Sequence, residues 1–315
     1  MKNLPDDALD ADRPLVVFLA DDTDAEDHAV LFPLLRERGI AARRVHPHEL
    51  VIRLDGARAR VSVNGQRLRP DLVIGWVLDD LLAPGMAQLD LLQRLGVRVI
   101  NDALTLFRTQ HTFLDSTQLS AAGVLRYPVL TGWDRAALDE WAADVPGPWV
   151  SKPLAGFGGR GLRKVTDITE VPDGEYYVVP YVENPGRDIR VYTVNHRAVF
   201  AMYRYAPEGK WITNVRAGGT IAPCPLTPEI TELAERASRG AGTLIGGVDI
   251  GENTTTGELV VYEVNSCPTC EPPVLHAVAD FLAATVDGDG AHWHPERDYA
   301  ALEPTFHASK QHLIR

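Results

Sequence analysis

The sequence has little of what marks a secreted, membrane-spanning or polyanion-binding protein. Its 315 residues include only three cysteines, Cys224, Cys267 and Cys270, too few and too late in the chain to cross-link a secreted domain. It has no apolar run of about 18 residues, and its acidic start, MKNLPDDALDADRP, lacks the apolar core of a secretion signal. The net charge of -12 argues against nucleic acid or anionic membranes as partners. We therefore predict a cytoplasmic protein with reduced thiols.

The first hundred residues have the pattern of a parallel α/β domain. Apolar runs predict strands at 15–20, 72–78 and 97–101, and helical spacing predicts helices at 25–39 and 86–96. Asp-Gly and Asn-Gly pairs between residues 51 and 70 predict hairpins that decorate this unit. The domain is predicted to end at residue 101.

The rest of the chain has the texture of an α+β fold. A helix is predicted at 103–122, antiparallel strands at 175–183 and 188–205, and a helix at 227–244 before two further strands within 247–265. The predicted fold class is thus α/β followed by α+β. Residues 287–315 contain four histidines without a metal-ligand spacing, and we predict a solvated tail there.

A glycine-rich segment, GFGGRG, matches G-x-G-x-x-G at Gly156, Gly158 and Gly161. A dinucleotide loop joins a strand to a helix, whereas strand-like sequence flanks this segment on both sides. We interpret it as a hairpin lid whose glycines let backbone N–H groups approach phosphate oxygens. Lys152, just upstream, could place an ammonium on those phosphates. The alternative is an ordinary hairpin turn.

Two segments of opposite charge follow the glycine loop. Residues 187–219 carry six Arg or Lys against two carboxylates and predict an anion-binding surface, with a solvated sheet face as the alternative. Residues 249–271 carry five carboxylates and neither Lys nor Arg. Glu263 and Asn265, two apart on a strand, share a face, and hard oxygen ligands suit Mg²⁺. Lid, lysine, arginines and metal face together indicate nucleoside triphosphate chemistry.

Residues 101–282 resemble the ATP-grasp enzymes, and most closely the RimK-type carboxylate–amine ligases. The resemblance rests on the ordered motifs VSKPLAGFGGRGL, VVPYVE, DIRVYTV, TNVRAGG, GVDI and YEVNSCP. It implies a pre-ATP-grasp domain at 1–101 and a catalytic domain at 102–286, with a lid lobe at 124–182 and a metal-binding lobe at 183–286.

The resemblance also implies residue roles. Asp249, Glu263 and Asn265 would hold one or two Mg²⁺ ions, with Mn²⁺ as an alternative. Arg190 would lie near the transferring phosphoryl group or the acceptor carboxylate, and Arg216 would be a further catalytic contact. The residues that would bind ATP are Lys152, Gly156, Gly158, Gly159, Gly161, Val179, Pro180, Tyr181, Val182, Asp188 and Asn214.

The activity implied is amide formation between an amino acid or peptide carboxylate and an amine, through an acyl phosphate, with release of ADP and phosphate. A carrier-bound acceptor and a homo-oligomeric state are compatible with this resemblance. The rivals are a phosphotransferase and an ATP-binding sensor or scaffold without turnover. His111 and Thr112 replace an Asp-Lys pair common in the family, and Val179 and Pro180 replace a Gln-Glu pair. We also expect the thiols of the C-P-T-C segment to shape the substrate pocket and to sensitise it to oxidation.

Overall fold

The computed structural model describes residues 13–21, 23–56, 58–78, 81–155 and 159–315. Four sheets and seven α-helices are found in these ranges. A parallel sheet precedes two antiparallel sheets, which confirms the predicted fold class. No helix in the described ranges combines the length and apolar character needed to cross a membrane.

The N-terminal sheet is parallel, with strand order β2-β1-β6-β7. Its central strand β1 is buried along its whole length, as the unbroken apolar run LVVFLA requires. The predicted second helix begins earlier than expected because Pro84 falls in its first turn, where its missing N–H costs nothing. The elements are β1 (Leu15–Ala20), α1 (Ala25–Glu37), β2 (Ala41–Val45), β6 (Leu72–Trp76), α2 (Leu82–Arg94) and β7 (Arg98–Ile100), with an antiparallel hairpin sheet of β3 (Leu50–Asp55), β4 (Arg58–Val63) and β5 (Gln66–Arg67).

The single helix predicted at 103–122 is wrong in one respect, because His111 divides it. Its two parts are α3 (Ala103–Gln110) and α4 (Thr112–Ala121). His111 is extended, and its Nδ1 accepts a hydrogen bond from the N–H of Leu114. The Thr112 N–H donates to the Leu154 carbonyl at 2.8 Å. The break therefore ties α4 to the segment that leads into the glycine loop.

Two antiparallel sheets form the rest of the fold. One has the order β10-β9-β11-β8, and the other β14-β13-β12-β15-β16. Apolar residues of α6 pack on one side of the five-stranded sheet, and α7 packs against β12, β13 and α1. The elements are β8 (Leu130–Gly132), α5 (Arg135–Asp144), β9 (Trp149–Lys152), β10 (Arg163–Val165), β11 (Tyr176–Pro180), β12 (Arg187–Val194), β13 (Arg197–Tyr205), β14 (Thr220–Pro223), α6 (Pro228–Ala241), β15 (Ile245–Glu252), β16 (Leu259–Asn265) and α7 (Pro272–Val286).

The C-terminal segment is packed on the fold, so the predicted solvated tail is wrong. Tyr299 and Phe306 are buried in the largest core. His307 lies between Asp27 of α1 and the Cys270 carbonyl, at 3.1 and 3.0 Å from its Nε2. Burial of aromatic side chains and the pairing of charged groups thus keep the C-terminal segment on the fold, although its polar sequence predicted that it would be solvated.

Candidate active site

One cleft, with about 1010 Å³ of empty space, collects residues from both antiparallel sheets. The strands β9 and β11 line one side, and β12, β13, β15 and β16 contribute to the other. Most of the residues predicted from sequence meet here. The predicted residues lining the cleft are Lys152, Gly159, Val179, Pro180, Tyr181, Val182, Asp188, Asn214, Asp249 and Glu263.

Lys152 and the described end of the glycine loop form the cationic part of this cleft. Lys152 is the last residue of β9. Gly159 has a φ of +75°, and a Cβ there would lie 2.8 Å from Asn214 Oδ1, so only glycine fits this close approach. Gly161 has a φ of +76°, and a Cβ at this position would collide with the ring of Pro153. Gly156 and Gly158 lie outside the described residues.

Aromatic side chains also line the cleft. Tyr181 and Trp211 meet edge to face with ring centroids 6.0 Å apart, and Tyr127 and Val150 line the same cavity. The Tyr181 N–H donates to the Pro148 carbonyl at 2.8 Å, so this amide is already used. Such a wall suits the face of a planar base. Sequence analysis missed Trp211, whose only signal was an aromatic residue just before TNVRAGG.

A buried network of charges lies beneath the acidic part of the cleft. Two nitrogens of the Arg190 guanidinium contact the two carboxylate oxygens of Asp249, and the contact between Nη2 and Oδ2 is 3.0 Å long. Arg204 lies 2.9 Å from Asp249 Oδ2 and donates to Asp188 at 2.8 and 2.6 Å. Thr213 also donates to Asp188, at 2.6 Å. Burial raises the pKa of Asp249, but the two arginines outweigh it and hold that pKa below its usual range.

Arg190 therefore contacts Asp249 and is not among the residues that line the cleft. Arg204, counted in the basic segment but given no role, is the arginine of that segment that lines the cleft. Its position follows from cross-strand pairing, since Arg204 stands opposite Asp188 on β12 and β13. Sequence alone indicated the charge of both arginines but not their partners.

The donor set predicted for Mg²⁺ fits a hard cation. Asp249 and Glu263 stand opposite each other on β15 and β16, and Glu263 lines the cleft with Asp249. Asn265 donates its Nδ2 to the Gly247 carbonyl at 3.3 Å, so its Oδ1 is the atom that could ligate a cation. Two carboxylates and an amide oxygen leave positions for phosphate oxygens, as Mg²⁺ requires. In the described ranges no group of three or more His, Cys, Asp or Glu has metal-site geometry.

A second cavity, with about 500 Å³ of empty space, adjoins the cleft at Glu263. Asp115 of α4 lines it; its Oδ2 accepts a hydrogen bond from the Val264 N–H at 3.1 Å. Burial raises the pKa of Asp115 well above its ordinary value, and Glu263 adds to the effect. Sequence analysis missed Asp115. The residues lining this cavity are Leu78, Thr109, Gln110, Thr112, Asp115, Tyr262, Glu263, Val264, Asn265, Ser266 and Cys267.

Thr112 stands where the related ligases commonly carry a lysine. Its hydroxyl donates to the Pro153 carbonyl at 2.8 Å, next to Lys152. The side chain lines both cavities. This hydrogen bond therefore links α4 to the lid segment, and Lys152 supplies positive charge in this part of the cleft.

Arg216 lies in an exposed turn (Val215–Ala217) and is not among the residues lining either cavity. Its charge acts on Asp24, a buried carboxyl at the start of α1. Burial and the neighbouring Asp27 nevertheless raise the pKa of Asp24 to about 7. The structure thus brings Arg216 close to the N-terminal sheet.

The two thiols of the C-P-T-C segment differ in position. Cys267 lines the second cavity, with its Sγ 3.5 Å from the Gly75 carbonyl, whereas Cys270 is fully buried against α1. Burial raises the pKa of Cys267 to about 12 and that of Cys270 well above its usual range. Since the thiolate is the oxidisable form, this burial argues against the expected oxidation sensitivity of the segment, which stays a prediction.

Known proteins share this arrangement of sheets and motifs. A model of the RimK-like ATP-grasp domain matches residues 175–275. A probable alpha-L-glutamate ligase of Alkalilimnicola ehrlichii is 30% identical over 264 residues, which cover 80% of this chain and 86% of the relative. A tetrahydromethanopterin:alpha-L-glutamate ligase of Methanosarcina acetivorans is 31% identical over 184 residues, covering 51% of this chain and 56% of the relative.

A solved structure of the ATP-grasp ligase PsnB, complexed with a phosphomimetic variant of minimal precursor, Mg and ADP, has the same fold. It superposes with a TM-score of 0.68 at 20% identity and covers 87% of this chain and 99% of that one. The fold, the cleft and the similarity to the Alkalilimnicola ehrlichii protein over four fifths of the chain agree. The chain therefore belongs to the RimK-like ATP-grasp family of ATP-dependent carboxylate–amine ligases.

Proposed function

We propose that this chain phosphorylates a carboxylate with MgATP and joins it to the amine of an α-amino acid, with L-glutamate as the first candidate. The observation that carries the proposal is the set of groups that one cleft collects. Lys152, Asp249 and Glu263 line it together with the aromatic pair of Tyr181 and Trp211. A nucleotide needs all of these groups, for its phosphates, its Mg²⁺ and its base. The names of two relatives support L-glutamate.

The residues of the cleft have separable roles in this proposal. Lys152 binds phosphate oxygens, and Asp249, Glu263 and Asn265 would hold Mg²⁺, which supplies positive charge for the moving phosphoryl group. Arg190 and Arg204 are positioning residues, because they fix the Asp249 carboxylate from below. The network keeps Asp249 ionised and therefore competent as a ligand.

The proposed reaction has two steps. A carboxylate oxygen attacks the γ-phosphorus, and the bond between that phosphorus and the ADP oxygen breaks to give an acyl phosphate. The amine nitrogen then attacks the acyl carbon; the amide C–N bond forms and phosphate leaves with one amine proton. In this proposal an amino acid, a peptide or a carrier protein presents the carboxylate. A cytoplasmic location and a homo-oligomeric state are further parts of the proposal.

Hydroxylamine trapping tests this function without knowledge of the amine. The protein is incubated with MgATP, hydroxylamine and a panel of amino acids and short peptides as carboxylates, and hydroxamate and ADP are measured by mass spectrometry. We expect both products in equal amounts, and a loss of about 100-fold or more in Lys152→Ala and Glu263→Gln. Lys210→Ala removes an exposed lysine outside the cleft and serves as the matched control.

Two results would contradict the proposal. A stable phosphorylated product without hydroxamate would indicate a phosphotransferase. ATP binding without ADP release across the whole panel would indicate a sensor. Unchanged turnover in folded Glu263→Gln would overturn the metal assignment by itself.

A further inference from the structure

The second cavity adjoins the nucleotide cleft and shares three of its lining residues. Thr112, Tyr262 and Glu263 line both. A ligase of this kind must hold an amine beside the phosphorylated carboxylate, in addition to ATP. The space next to Glu263, about 500 Å³ including its opening to solvent, admits a small group such as an ammonium.

Two buried oxygens at this cavity have no hydrogen-bond donor among the described residues. Asp115 is 2% exposed, and its Oδ1 has no partner, although its Oδ2 accepts from Val264. Gln110 donates its Nε2 to the Val77 carbonyl at 3.2 Å, which fixes the amide orientation, and its buried Oε1 is also without a partner. Buried acceptors left unpaired are costly, so two of them at one cavity indicate a ligand that donates hydrogen bonds.

The charge of the cavity selects a cationic donor. Asp115 and Glu263 line it, and no Lys or Arg is among its lining residues in the described part of the chain. Lys152 acts on Asp115 from the neighbouring cleft, where ATP phosphates would engage it. With MgATP bound, Mg²⁺ would take up the charge of Glu263, and the Asp115 carboxyl is the acidic group left to the second cavity.

Apolar side chains complete the lining of this cavity. Glu263 and Asn265, which would hold Mg²⁺, lie on its wall, and Leu78, Val264 and Cys267 add apolar surface. Mg²⁺ needs oxygen ligands, whereas the apolar side chains suit the carbon chain of an organic cation. An ammonium group on a carbon chain satisfies both the unpaired oxygens and the apolar surface.

We propose, as an extension of the ligase function above, that the second cavity binds the ammonium group of the amine substrate through Asp115 Oδ1 and Gln110 Oε1. The cavity then places the nitrogen beside Glu263, where the acyl phosphate is expected to form. Before this nitrogen attacks the acyl carbon, the ammonium gives one proton to the Asp115 carboxylate that accepts its hydrogen bond. Asp115 and Gln110 are binding residues in this assignment.

Methylammonium chloride is the probe for a first test, with methanol as its uncharged counterpart. Each is titrated into the full-length protein with MgADP and followed by saturation-transfer NMR. We expect methylammonium to bind and methanol not to bind. The affinity for methylammonium should fall about 10-fold or more in Asp115→Asn, which loses a charged acceptor. Gln110→Met should weaken binding by a smaller factor, about 5-fold.

Gln88→Met is the matched control. Gln88 likewise donates its Nε2 to a backbone carbonyl, that of Pro47, and has a buried Oε1 without a partner, but it lines neither cavity. Its affinity for methylammonium should equal that of the wild type. Circular dichroism checks the fold, and Gln110→Met decides the question if Asp115→Asn does not fold.

Three results would overturn the assignment: no saturable methylammonium binding, equal affinity in wild type, Asp115→Asn and Gln110→Met, or displacement of methylammonium by excess MgCl₂, which would indicate a cation site.

The turnover test is separate. The KM for L-glutamate should rise about 5-fold in Gln110→Met and should equal the wild-type value in Gln88→Met, which lies outside both cavities. Failure of the wild type to form hydroxamate would count against the ligase proposal. The methylammonium titration would still show whether the second cavity binds an ammonium group.

Discussion

Replacing Arg204 by methionine perturbs the network beneath the cleft at its centre. The guanidinium of Arg204 serves Asp188 and Asp249 together, and all three side chains are at most 7% exposed. Methionine keeps a similar apolar stem but removes every donor. Two buried carboxylates then lose the cation that they share.

The expected loss of unfolding free energy is about 3 kcal/mol, at the lower end of the range for breaking a buried ion pair. The lower end applies because Asp249 keeps Arg190 and Asp188 keeps Thr213. The pair of Arg187 and Glu252 provides the comparison, since both side chains are 28% exposed at a distance of 2.7 Å. Arg187→Met should cost about 1 kcal/mol, from that pair and from stacking on a tyrosine.

Urea denaturation followed by tryptophan fluorescence measures both variants. A difference of about 2 kcal/mol between them is expected, with similar m-values. Equal losses in the two variants would refute the argument that burial decides the cost. The same Arg204→Met protein, if folded, should also form less hydroxamate, because Asp249 loses one of the two arginines that position it.

Three further predictions concern the tail, the thiols and the aromatic wall. Burial lowers the pKa of His307, but the hydrogen bond and charge of Asp27 outweigh it and raise that pKa. The stabilisation of the fold by protonated His307 is therefore complete below about pH 6.5 and is lost as pH rises through the raised pKa. Melting temperatures of wild type and His307→Gln between pH 5 and 9 (roughly the span in which histidine titrates) should converge at the alkaline end, and a constant gap would contradict this. Cys267 should resist a disulfide reagent in native protein at about pH 8 and react after unfolding, because its pKa of about 12 leaves almost no thiolate; fast native labelling would show the burial argument to be wrong. Trp211→Ala should raise the KM for ATP about 10-fold by removing a stacking surface, whereas Trp133→Ala, at a position 70% exposed, should leave it unchanged.

Local pattern was sufficient where one stretch of chain carried the whole signal. The run LVVFLA specified a buried parallel strand, and the structure has β1 at Leu15–Ala20. Strand alternation around GVDI and YEVN predicted the two strands that place Asp249 opposite Glu263. The predictions failed at His111 and at the C-terminal tail, where contacts with distant residues decide the conformation.

The sequence by itself determined the fold class, the family and the chemical types of group at the cleft, because periodicity and ordered motifs are properties of short segments. Only the tertiary structure decided which charges meet. It placed Arg190 and Arg204 on Asp249, and it left Asp115 and Gln110 with unpaired oxygens at a shared cavity. These outcomes depend on how separate strands and helices pack, and the energy of a buried charge depends on the neighbours that packing brings to it.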